Sequence, residues 1–150
     1  MAGYSLPNMM VNPYAPPAYQ GLSGSAMPGF VDVDFSYVYD VVLTASQSLY
    51  DQSTPIRNDA DFEWRAMVLA VNTGVFRVRF SDSQGYYLSN GFINSANFLD
   101  NGARLPWTVF PGVLLPAGGK IGIDIQDLSA AENTIQLIFR GVNRYRIAGQ

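Results

Sequence analysis

Residues 114–147, Leu114-Leu-Pro-Ala-Gly-Gly-Lys-Ile-Gly-Ile-Asp-Ile-Gln-Asp-Leu-Ser-Ala-Ala-Glu-Asn-Thr-Ile-Gln-Leu-Ile-Phe-Arg-Gly-Val-Asn-Arg-Tyr-Arg-Ile147, decide the fold. Ile121, Ile123 and Ile125 alternate with Gly122, Asp124 and Gln126, and Ile135, Leu137 and Phe139 alternate with Gln136, Ile138 and Arg140. A period of two over both runs reads as two half-buried strands. Pro116-Ala117-Gly118-Gly119 marks a turn before the first, and the polar run Asp127 to Asn133 is expected to join the two as a hairpin. An isolated hairpin is marginal in water, so the remaining chain has to supply partner strands.

Upstream the same period recurs. Phe35, Tyr37, Tyr39, Val41 and Leu43 face one way, and Ser36, Val38, Asp40, Val42 and Thr44 the other. Ala45 to Gln52 reads as a shorter strand broken by Ser53-Thr54-Pro55, because Pro cannot donate to a ladder. In Asp61 to Val71, alternation places Phe62, Trp64, Ala66, Val68 and Ala70 together, which favours a strand over the helix that propensity alone allows. Val75 to Phe80 turns through Ser81 to Gly85 into Tyr86-Tyr87-Leu88, a predicted hairpin. Asn90 to Pro111 is dense in Asn, Gly and Pro and reads as a long surface excursion, with strand only at Trp107 to Phe110. Gly141 to Ile147 adds a last short strand. About eight antiparallel strands without a helix give an all-β fold, an antiparallel β-sandwich of jelly-roll-like type.

The chain has 150 residues, room for one domain with a true core. Residues 1–31 form an extended uncharged N-terminal arm ahead of a sandwich domain at 32–150. The arm carries no charged side chain and five of the nine prolines. Its apolar residues include Tyr4, Leu6, Met9, Met10, Tyr14, Tyr19, Leu22 and Phe30, with no helix or strand period. Ordering some 30 residues costs about 30–60 kcal/mol, whereas burying about ten such side chains recovers roughly 15–30. The arm cannot fold on itself. Disordered tails are normally charged and poor in aromatics, so these residues are expected to contact a partner by lying across a neighbouring subunit.

Absence of Cys and His excludes Ser-His and Cys-His nucleophile systems, thiolate or imidazole metal centres and disulfide frameworks. A net charge of −3 argues against a phosphate-neutralising coat protein. The first ten residues lack a signal-peptide pattern, and no 18-residue apolar run is present for a membrane span. No cofactor, nucleic acid or membrane partner is expected.

Four groups remain as candidate chemistry. Asp59, Asp61 and Glu63 alternate on one strand face and could take calcium or act as paired carboxylates, although a solvated strand start beside Arg57 and Arg65 accounts for them better. Asp124 is a further carboxylate, read as a cross-strand partner. Arg77, Arg79, Arg140, Arg144 and Arg146 with Tyr145 could make a basic strip, and eight of the nine basic residues are Arg, which favours bidentate contacts at interfaces. Tyr86, Tyr87 and Trp107 could stack on a sugar ring.

Asp34 to Thr44 followed by Ser46-Gln47-Ser48-Leu49, then Asn58-Asp59-Ala60-Asp61-Phe62, Leu115-Pro116-Ala117-Gly118-Gly119, Ile123-Asp124-Ile125 and Phe139-Arg140-Gly141, resembles the head decoration or cement class of small virion auxiliary proteins of tailed bacteriophages. The resemblance implies a sandwich on the capsid exterior, made in the host cytoplasm, working as a trimer or dimer. Its partners would be the major capsid protein and other copies of itself, and no catalytic residue carries over. The alternatives are a carbohydrate- or receptor-binding sandwich using Tyr86, Tyr87 and Trp107, another minor head, neck or tail component, and a carboxylate hydrolase using Asp59, Asp61 or Asp124.

Overall fold

A computed structural model of the chain describes residues 29–98 and 106–147. Eight strands carry it: β1 Phe30–Leu43, β2 Ser48–Pro55, β3 Asp61–Asn72, β4 Phe76–Ser81, β5 Ile93–Asn94, β6 Trp107–Leu115, β7 Lys120–Asp127 and β8 Asn133–Arg146. Among the described residues the only helical piece is a 3-10 turn at Ser95–Phe98, and no helix is long and apolar enough to cross a membrane. Two four-stranded sheets, ordered β1-β8-β3-β6 and β2-β7-β4-β5, stack face to face. All pairings are antiparallel. This is the double-sheet, eight-strand order of a jelly roll.

β7 and β8 do not form the expected hairpin. β7 lies between β2 and β4 in the second sheet, and β8 between β1 and β3 in the first. Their isoleucines therefore approach one core from opposite sides, and Asp127 to Asn133 is an arch between sheets. Period two fixes which side of a strand is buried but not whether two neighbours in sequence pair or face each other. Among the described residues β4 and β5 are the only consecutive strands that share a sheet.

The inward set of β3 also differs from strict alternation. Phe62, Trp64, Met67 and Leu69 are buried, while Ala66, Val68 and Ala70 are only partly so. A bulge between Trp64 and Ala66 interrupts the pairing with both neighbours and moves the side chains from Ala66 to Leu69 to the other face, before a second shift against β8 between Leu69 and Val71. Alternation would have buried alanines and left Met67 and Leu69 in water; the extra residue reverses this. Trp64, Phe80 and Phe139, from three strands of both sheets, meet edge to face with ring centroids 5.2–5.6 Å apart and form the centre of the core.

Three further boundaries differ. β2 runs through Ser53-Thr54-Pro55, which an edge strand tolerates because its outer N–H groups need no ladder partner. Tyr87 makes only an isolated bridge to Ser81 in place of a hairpin strand. Residues 141–146 continue β8, and β1 opens at Phe30, counted with the arm by composition but paired here with Arg146. The arm residues Tyr4, Leu6, Met9, Met10, Tyr14, Tyr19 and Leu22 lie outside the described residues.

Candidate functional site

β6 is an edge strand, and it is interrupted. Leu115, Leu114 and Val113 pair with Phe62, Glu63 and Trp64, and Thr108 and Trp107 pair with Ala66 and Met67, so Val109 to Gly112 bow out opposite Arg65. The backbone stays close because Gly112 has no Cβ: one added there would sit 2.9 Å from the Glu63 carboxylate and 3.2 Å from the Trp64 carbonyl. At the crest Phe110 is 93% exposed, an extreme for a phenyl ring. Behind it opens a cleft of about 190 Å³ on the side of the sandwich. The buried Trp64 and Phe80 line it together with Leu88, Ile93, Trp107, Val109 and Val113. No charged residue lines it.

Trp107 is held by the core beneath, its ring 5.4 Å from Phe98 and 6.4 Å from Trp64. Tyr86 and Tyr87 sit on the turn after β4, where Tyr87 packs on Arg79.

A second constellation covers the outer face of the second sheet. Arg79 and Asp124 stand opposite each other on β4 and β7 and form an ion pair at 3.0 Å. Tyr87 closes over them, with its hydroxyl donating to Asp124 at 3.1 Å and its ring 3.5 Å from the Arg79 guanidinium carbon. The fourth contact comes from β2, where Asp51, in the left-handed region at φ 56°, donates its N–H to Asp124 at 3.0 Å. Burial raises the Asp124 pKa, but these donors outweigh it and leave the carboxyl below its ordinary value. The same hydrogen bond raises the Tyr87 phenol. These contacts tie β2, β4 and β7 together through one carboxylate.

The other carboxylates are also engaged. Asp59 pairs with Arg57, Asp61 accepts the Ala117 N–H at 2.8 Å, and Glu63 is bound by Arg65 and Arg144. Arg144 joins Glu63 to Asp32 across the first sheet. Among the described residues no group of three or more His, Cys, Asp or Glu could hold a metal ion. The five arginines of the expected basic strip are divided, Arg77 and Arg79 belonging to the second sheet and Arg140, Arg144 and Arg146 to the first. One apolar feature escaped the sequence reading: Val38, Ile138 and Val68 fall in one register across β1, β8 and β3, on the outer face of the first sheet. Side-by-side register is a property of pairing and is not visible in any single strand.

No protein-family model, curated protein or solved structure matches the chain.

Proposed function

We propose that the protein is a structural virion component, a capsid decoration or cement protein that bridges major capsid proteins on the particle exterior. The observation that carries this reading is the uncharged aromatic cleft beside Phe110, set in the open edge of a jelly roll. Jelly rolls recur in viral capsid and lectin domains, so fold analogy supports an assembly or binding role. Bridging needs more than one contact surface. The cleft supplies one, the Val38-Ile138-Val68 row a second, and the uncharged arm a third. Apolar surface in which Val38 is exposed and Ile138 and Val68 are half-buried marks interaction sites, and low charge lessens the desolvation that docking requires.

The test is co-sedimentation with heads of the virus that encodes the chain. Full-length protein should saturate the particle, and residues 29–150 should stay folded but bind far less. Equal binding by both would remove the arm from the mechanism, and binding by neither would remove the capsid.

A second reading, a carbohydrate- or receptor-binding module, rests on Tyr86, 69% exposed beside a small polar hollow of about 170 Å³ bordered by Asp51, Ser81, Tyr87 and Lys120. Saturable binding on a glycan panel, lost in Tyr86→Ala, would favour it.

A further inference from the structure

We infer that the cleft beside Phe110 receives the segment Pro13-Tyr14-Ala15-Pro16-Pro17-Ala18-Tyr19 from the arm of a neighbouring copy. The inference rests on reading the arm as an interaction element, and does not require the capsid. Three of the seven residues are proline and none is charged. Such a segment favours the polyproline II helix, whose three residues per turn place Pro13, Pro16 and Tyr19 along one edge. Proline lacks an N–H, so its ring enters an apolar cleft without stranding a donor. Aromatic-lined grooves recognise proline-rich segments in this manner, at little ordering cost because the helix is preformed. The cleft has the complementary character: Trp107 and Phe110 as aromatic flanks, aliphatic walls and no charge.

The topology favours a neighbour's cleft over the chain's own. The arm joins β1 at Gly29, on one edge of the first sheet, whereas the cleft adjoins β6 on the other edge. The two edges are about 14 Å apart, three strand spacings. An arm returning to its own cleft would cross the outer face of the sheet between the Phe30 end and the Val38-Ile138-Val68 row, over an open groove whose Asp34, Arg65 and Arg140 offer charges that an uncharged segment does not match. A second copy with its β6 edge beside β1 presents its cleft where the arm emerges. The residues from Pro17 to Gly29 span up to ~37 Å in polyproline geometry, enough to cross that junction. One edge giving and the opposite edge receiving is a head-to-tail contact, which closes into a ring when the rotation permits.

Because the chain has no Cys, single thiols report the contact cleanly. Full-length Ala15→Cys and a size-tagged full-length Ser89→Cys, whose position lines the cleft, are mixed at tens of micromolar and oxidised mildly. The mixed disulfide is expected at least about tenfold above that with an Ala130→Cys control in the β7–β8 arch, given the effective concentration of a docked segment. Phe110→Ala, or alanines at Pro13, Pro16 and Pro17, should reduce it to the control level. Yields equal to the control, or yields unaffected by those substitutions, would overturn the proposal. So would a chain carrying both thiols that closes only on itself as a monomer, which would place the segment in its own cleft. Capsid co-sedimentation is scored separately, so a failed particle assay with a positive cross-link leaves this inference standing, and the reverse result leaves the capsid reading standing.

Discussion

The Asn133 amide donates to the Asp127 carboxylate at 3.0 Å, and both side chains are buried at the end of the sandwich. Asp127 also takes the N–H groups of Ser46 and Ser129, and the Asn133 carbonyl takes those of Thr73 and Gly74. Two side chains thus tie together the β1–β2, β3–β4 and β7–β8 connections.

This tie makes stability depend on acid. Burial pushes the Asp127 pKa up, but the donors of Asn133, Ser129 and Ser46 prevail and hold it below the ordinary carboxylate range. Asp124 and Glu63 are lowered as well. A folded-state pKa below the unfolded value of about 3.9–4.3 means the folded chain binds fewer protons there. The contribution is complete above that value and is lost as pH falls through the folded pKa. Tm should be flat near neutrality and fall steeply below about pH 4. Asp127→Asn should lower Tm at pH 7, by about 2 kcal/mol in stability terms, and make the acid limb shallower. A variant with an unchanged acid limb would remove Asp127 from this role.

Arg79, Asp124 and Tyr87 should behave as one unit. Arg79→Ala leaves a buried carboxylate without its cation, a loss of roughly 3 kcal/mol, and the double variant with Asp124→Ala should lose less than the sum of the singles. Additive losses in denaturant midpoints would contradict the coupling. Absorbance titration should show a phenol ionising above the ordinary tyrosine value that Asp124→Asn returns towards it, consistent with the raised Tyr87.

Gly141 lies against the neighbouring strand. A Cβ added there would overlap the Glu63 carbonyl oxygen and press on the Phe62 ring. Gly141→Ala is expected to cost about 2–3 kcal/mol in chemical denaturation by forcing β8 and β3 apart. A cost below ~0.5 kcal/mol would show that the strands separate freely.

Phe110 and Trp64 separate surface from core within one cleft. Trp64→Ala should lose about 3–5 kcal/mol, since the indole is buried and its N–H donates to the Ala66 carbonyl at 2.7 Å. Phe110→Ala should leave the midpoint within about 0.5 kcal/mol and change association instead, because the ring touches water almost everywhere. A strongly destabilised Phe110→Ala would mean that the crest supports the fold.

Strand number and the inward faces of β1, β4, β7 and β8 could be read from alternation, as Tyr37, Phe76, Ile123 and Leu137 show. What alternation could not carry was anything set by partners. The bulge between Trp64 and Ala66, the arch between β7 and β8, and the passage of β6 through Phe110 to Leu115 depend on which strands lie alongside. The same holds for the site. Phe110 stood at the end of the strand expected over Trp107 to Phe110, but its exposure and the cleft behind it depend on Leu88 from the β4–β5 connection and Ile93 from the other sheet. The packing of Trp107 on Trp64 and Phe98 likewise depends on neighbours that no single strand reveals.

The most direct test of the capsid role is the number of chains bound per head, measured on particles stripped of auxiliary proteins and titrated with the full-length protein. Saturation at a fixed, symmetry-compatible number, with heads that then resist heating or osmotic shock better than stripped ones, is the expected result. Absence of saturable binding, or binding that leaves head stability unchanged, would contradict the account.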